Sequence, residues 1–203
     1  MEYIKYRFFQ KASKCSKEFQ RIKGEYADKV IAEVKLGQIL TGMKGIPLLV
    51  TDTSKLDPNE GIRFKGYSIP ELREKLPKIS ENGEPLPEGL FYLMLIGEIP
   101  SHEDVINLSK DFATRAHVPQ HVFDVIDAMP KNSRPMTQFS AAILAMATES
   151  IFQKAYRAGV NKKYFWDSTY EDVMNLIARL PRIAAYIYRR NFFNDEQIEP
   201  NPH

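Results

Sequence analysis

Hydrophobic spacing changes twice along the chain. Residues 1–29 carry a weak helical periodicity, with Phe19 and Ile22 as inward positions, and predict a charged surface helix with fraying ends. From Val30 the pattern turns β-like. "VIAEVKLG" alternates briefly, and "GIPLLVTDT" and "GIRFKGYS" are short runs separated by glycine and proline. Residues 30–67 therefore predict a small sheet of two or three strands, too small to be a domain core alone. Residues 68–193 read as a helical body, and 194–203 as a polar tail. The expected fold class is all-α and multi-helical, with the β element near residues 30–65.

Punctuation divides the helical body. Ser68 is placed to cap a helix with Pro70 just inside it. Pro87 and Gly97 bound an apolar helix over 88–96, and Ser101 with Asp104 has the spacing of a capping box. Val105, Leu108 and Phe112 share one face of the next helix, and Pro119 opens another that Pro130 stops. The run 136–159 predicts one long helix ending at Gly159, with Ala141, Ala142, Ala145 and Ala147 allowing close approach of a second helix. A last helix is expected from Ser168, with Pro181 kinking or dividing it near Leu180.

Charge and composition narrow the function classes. Twenty-eight basic and 26 acidic side chains leave a formal charge of +2, too little field for nucleic acid or an anionic membrane. The single cysteine, Cys15, allows no intrachain disulfide and fits a reducing compartment. No apolar run reaches membrane-spanning length and no targeting segment is evident, which points to a cytoplasmic chain.

Candidate chemistry is sparse. His117 and His121 have i, i+4 spacing, but Pro119 between them breaks the shared face a metal pair would need. His102 and His203 read as solvated, and His121 as packing beside an apolar face. Cys15 lies among lysines but has no neighbouring histidine to activate it. The carboxylate pairs Asp124/Asp127 and Glu171/Asp172 read as solvated helix surface. Gly37 to Gly45 approaches phosphate-loop spacing, but Lys44 is one place late and Gly45 replaces the required hydroxyl. Lys162 and Lys163 emerge in a basic–aromatic turn, either solvated or aimed at an anion. No catalytic constellation and no metal site can be assembled.

One resemblance covers residues 30–190. It is carried by "GMKGI" at 42–46, "LDPNEGIRFKGYSIPEL" at 56–72, "EPLPEGLFYLMLIGEIP" at 84–100, "LSKDFATRA" at 108–116, "PMTQFSAAILAMATES" at 135–150, "YEDVMNLIARLP" at 170–181 and "AAYIYR" at 184–189. In that order these segments resemble the amino-terminal part of the citrate synthase large domain, in its eukaryote-like branch. The resemblance implies a helical homodimer that condenses acetyl-CoA with oxaloacetate and water to give citrate and CoA, with no permanently bound cofactor. It also implies proton abstraction by an aspartate, with histidines stabilising the enolate and polarising the oxaloacetate carbonyl. None of those groups falls within the matched segments, so the 203-residue chain is expected to be inactive alone. Two CoA phosphate contacts carry over. The family arginine before the G-M-K-G turn is Thr41 here, which moves that role to Lys44; the arginine after the alanine-rich helix is Lys162. The alternative is a non-catalytic scaffold or oligomerisation module of the same fold.

Overall fold

A computed structural model describes residues 2–47, 49–193 and 196–198. Most of the polar tail, His203 included, lies outside the described residues. The chain forms two compact units, Met1–Leu108 and Ser109–His203.

The first unit opens with helix α1 (Glu2–Tyr26). Its beginning is anchored and its end is not. Ile4 is buried, and Arg7 hydrogen-bonds both the Tyr92 hydroxyl and the Glu98 carboxylate. Phe19, Ile22 and Tyr26 are exposed. Burial raises the Tyr92 hydroxyl to a pKa of about 12 against the opposing pull of Arg7.

A short helix α2 (Leu36–Leu40) follows, and then three antiparallel strands in the order β1 (Ser54–Asp57), β2 (Gly61–Phe64) and β3 (Tyr67–Ser68). The sheet is thus confined to 54–68. The apolar runs near Val30 and Leu49 form no strand, because an extended run without a paired neighbour leaves its backbone groups unsatisfied. Turn chemistry sets the register. Asp57 Oδ1 accepts from the backbone of Asn59 at 2.8 Å and Glu60 at 3.1 Å, closing the first hairpin. The second turns on Lys65 and Gly66, both at positive φ, as a two-residue hairpin of this twist requires. Lysine is an unusual choice there; its ammonium is held 3.0 Å from Asp52 and its N–H donates to Thr53.

Helix α3 (Ile69–Lys75) starts at a reciprocal capping box: Ser68 Oγ accepts from Glu71 N, and Glu71 accepts from Ser68 N at 2.8 Å. Helix α4 (Pro87–Ile96) ends at Gly97. Leu72, Leu76 and Leu93 form the core between these helices and the sheet. Gly97 has φ +89, and a Cβ there would lie 3.1 Å from Lys11 Nζ. Gly97→Ala should lower stability by about 1–2 kcal/mol, read as a fall in the urea midpoint; an unchanged midpoint would show that the left-handed cap is dispensable.

Helix α5 (His102–Arg115) begins at the Ser101/Asp104 capping box and crosses the boundary between the units. In the second unit, α6 (Gln120–Asp127), α7 (Pro135–Ala145), α8 (Ile151–Arg157) and α9 (Phe165–Phe192) follow. Val122, Phe123, Ile126, Ala142, Met146, Ile183 and Ile187 make its core.

Three helix boundaries differ from the sequence pattern. The run 136–159 is not one helix: a 3-10 turn over Met146–Glu149 separates α7 from α8. Ser150 leaves helical geometry there and caps the next helix by accepting from Gln153 N at 2.9 Å. Helix α9 starts at Phe165, three residues before the apparent cap Ser168, whose hydroxyl donates to Phe165 O instead. Pro181 does not divide α9. It removes one backbone bond, but Met174 and Ala178 before it and Ile183 and Ile187 after it are buried, and that packing offsets the cost of roughly 3 kcal/mol.

Candidate functional site

Lys162 sits in a 3-10 turn, Lys162–Tyr164, between α8 and α9. The turn is built by local chemistry on both sides. Gly159, at φ +76, closes α8 with the paired bonds Val160 N to Ala155 O and Gly159 N to Tyr156 O, each 3.1 Å. Asn161 Oδ1 then accepts from Lys163 N at 3.1 Å. Lys163 folds its ammonium over the Tyr164 ring, 4.7 Å from the centroid. Lys162 is exposed and makes no ion pair among the described residues. The last turn of α8 adds Lys154 and Arg157, so a basic edge runs from α8 into the turn.

The long helix α9 carries this edge. Asp172 binds the start of α8 three times: Oδ1 accepts from Ile151 N at 2.7 Å, and Oδ2 accepts from Phe152 N at 3.1 Å and from Ser150 Oγ at 2.6 Å. A carboxylate at a helix N-terminus is also favoured by the helix dipole. Toward the other end, Phe165 packs edge-on against Phe152, with ring centres 5.1 Å apart. Helix α8 is therefore clamped along α9.

Glu171, next to Asp172, is engaged in a polar cluster with α5. Arg115 binds Asp111 at 2.8 Å, Glu171 at 2.7 Å and Asn175 at 2.9 Å. Burial pulls the Arg115 pKa down, but its bonds to Asp111 and Glu171 outweigh that and raise it, so the guanidinium stays charged. The expectation that Glu171 and Asp172 form a solvated surface fails for both. Each finds a partner far away in sequence, which charge spacing along one helix does not report.

Lys44 lies in the first unit, in the turn after α2. Gly42, Met43 and Gly45 all have positive φ, and Met43 N donates to Gln38 O at 2.7 Å. Lys44 is exposed, and its carbonyl accepts from the Gln38 side chain at 3.3 Å. The Thr41 hydroxyl donates to Gly37 O at 2.9 Å, within its own helix turn. Lys44 and Lys162 thus belong to different compact units.

The histidines are placed apart from both lysines' turns. His121 Nε2 is 3.3 Å from Ala145 O and 3.4 Å from Thr148 Oγ1, and His117 lines a cavity. Cys15 is an exposed free thiol on α1. Among the described residues no three His, Cys, Asp or Glu side chains converge as a metal site, and no helix is long and apolar enough to cross a membrane.

The helical architecture with its three-stranded sheet defines the class, and comparison with known proteins defines the family. Residues 42–203 match the family model described as "Citrate synthase, C-terminal domain". The chain is 48% identical over 179 residues to mitochondrial citrate synthase 4 of Arabidopsis thaliana, covering 88% of this chain and 38% of that protein. It is 47% identical over 201 residues to mitochondrial citrate synthase of Saccharomyces cerevisiae, covering 98% and 42%. It is 49% identical over 195 residues to the mitochondrial 2-methylcitrate synthase of Yarrowia lipolytica, covering 96% and 42%. The citrate synthase of Pyrobaculum aerophilum shares the fold with a TM-score of 0.66 at 21% identity, covering 86% of this chain and 42% of that one. The chain belongs to the citrate synthase family. It spans about two-fifths of the length of the relatives it matches.

One expectation is corrected. The relatives are named mitochondrial, which overturns the cytoplasmic reading. Near-neutral charge and a single free thiol suit any reducing compartment, so composition had no power to choose between them.

Proposed function

We propose that this chain is the amino-terminal part of a mitochondrial citrate synthase, whose whole protein condenses acetyl-CoA with oxaloacetate and water to give citrate and CoA. The observation that carries this reading is the family match over 42–203, in a chain whose segments follow the family's order. A related archaeal structure, from Thermoplasma acidophilum, is titled as a complex with carboxymethyl coenzyme A and oxaloacetate; it shares the fold with a TM-score of 0.57. The whole protein works as a homodimer and holds no permanent cofactor. The exposed apolar groups Met136 and Leu144 on α7, with Tyr188 and Phe192 on α9, are the surface that supports self-association.

In this reading the 203 residues supply scaffold and one edge of a CoA site, with no catalytic residue. Lys162 meets a CoA phosphate, held out by the clamped α8–α9 turn, and Lys44 makes a second, weaker contact. Both act as point charges without the two-pronged geometry of arginine. The test is thiol release from acetyl-CoA in the presence of oxaloacetate. The 203-residue chain should release none, and a polypeptide of family length carrying this sequence should be active. Propionyl-CoA in the same assay reads the acyl preference, since one relative is named a 2-methylcitrate synthase. In the family-length protein, Lys162→Ala should raise KM for acetyl-CoA about five-fold with kcat little changed, the behaviour of a lost exposed charge contact. An unchanged KM would remove Lys162 from the site.

A further inference from the structure

The second unit contains a cavity of about 990 Å³ between the end of α5, α6 and the later half of α9. Phe123, Ala178 and Ala185 give it apolar walls, and His117, Arg182 and Arg189 bring donors to it. No aspartate or glutamate is among the described residues that line it. The two arginines differ in state. Arg189 donates from Nε to Glu196 O and lies 3.6 Å from the Glu196 carboxylate, and Ile198, two residues on, lines the cavity. Arg182 rests its guanidinium 5.5 Å from the Phe123 ring centre and makes no ion pair among the described residues. One end of the cavity is therefore already met by polypeptide, through a carboxylate on a guanidinium and an apolar side chain beside it. The other end offers the same chemistry at Arg182 and His117.

We propose that this cavity seats a further acidic, apolar-anchored polypeptide segment, contributed by the larger part of the citrate synthase length that has no counterpart in these 203 residues. The assignment rests on the reading under Proposed function. Charge complementarity and the length of the relatives favour it over a second copy. The Glu196–Ile198 stretch shows the mode of binding: the carboxylate pairs with arginine while the neighbouring aliphatic side chain displaces water from the apolar wall.

The test mixes the 203-residue chain with a separate polypeptide: the part of the S. cerevisiae citrate synthase that lies outside its match to this chain. Light scattering should show a one-to-one complex. Arg182→Glu should weaken binding at least ten-fold and the milder Arg182→Gln less, while Lys110→Glu, on the exposed side of α5, should bind as the parent does. Urea melts of the variants separate a binding loss from unfolding. Equal affinity of parent and Arg182→Glu overturns the proposal, and so does failure of the parent to bind. Self-association of the chain alone that Arg182→Glu abolishes assigns the cavity to a second copy and also overturns it. The thiol-release assay on the same mixture keeps the two readings apart. A complex that depends on Arg182 but makes no citrate retains the seat and removes the enzyme reading; citrate formation without Arg182 dependence does the reverse.

Discussion

Replacing Arg115 with leucine should destabilise the second unit by about 3–5 kcal/mol. The guanidinium is nearly buried and binds three side chains at once, Asp111, Glu171 and Asn175. Asp111 has a side chain only 3% exposed, and Arg115 is its ion-pair partner. Leucine would fill part of the space but leave that carboxylate in a poor dielectric with no countercharge. This penalty on the orphaned group exceeds the net value of the pair itself. The urea midpoint should fall by about 1–2 M, from the usual dependence of stability on denaturant. A double variant, Arg115→Leu with Asp111→Leu, should recover part of the loss, because both ends of the pair are then gone. A fall smaller than about 1 kcal/mol in the single variant would mean that solvent reaches the cluster and that it behaves as a surface pair.

The cluster also bears on function. Glu171 and Asp172 are consecutive, and they face different neighbours from one helix: Glu171 holds α5, while Asp172 holds the start of α8. Helix α8 leads directly into the turn that exposes Lys162. Loosening α9 at Arg115 therefore disturbs the support of the proposed CoA contact as well as the core.

Much of this architecture is legible wherever a decisive contact is local. The Ser68/Glu71 and Ser101/Asp104 caps, the Gly97 stop and the hairpin over 54–64 all follow from residues within a few positions of one another. The failures share one cause. Two segments carry the spacing of a serine followed three residues later by Glu or Gln. At Ser150 and Gln153 the motif does start a helix, and the alanine-rich pattern around it hides the break. At Ser168 and Glu171 it does not, because Glu171 is drawn to Arg115, 56 residues away in sequence, and the hydroxyl turns back on Phe165. Local spacing is identical in the two cases; only the tertiary partner separates them. The candidate site follows the same rule. Lys162 was visible as a charge after a helix, but the clamp that presents it depends on Asp172 meeting a helix end 21 residues earlier. The compartment was not legible at all, because surface charge balance is a property of solubility and not of address.

The second large effect is expected at Arg190, near the end of α9. It is 5% exposed and ties three parts of the unit together. Its Nη2 donates to Met129 O at 2.7 Å and to Asp127 O at 3.4 Å, and its Nη1 donates to Gln138 Oε1 at 3.2 Å. The first two acceptors are at the end of α6, where helix carbonyls lack partners of their own and favour a cation. The third is a fully buried amide, which in turn donates to Ser133 O at 2.9 Å and Asn191 Oδ1 at 3.1 Å. Arg190 thereby fixes the α6–α7 connection onto α9. Arg190→Met keeps most of the side-chain length and the apolar stem but removes every donor. It should cost about 3 kcal/mol, since Gln138 Oε1 and the Met129 carbonyl are left without this partner in a buried setting. Arg190→Lys should recover only part, because one ammonium cannot reach acceptors on two sides in the geometry of the fork. The prediction is read from urea midpoints together with amide exchange over Asp127–Gln138. Faster exchange there in Arg190→Met, with protection retained at Ile151 and Phe152, would locate the loss at the α6–α7 connection. Uniform loss of protection, or none, would show that Arg190 does not organise this connection.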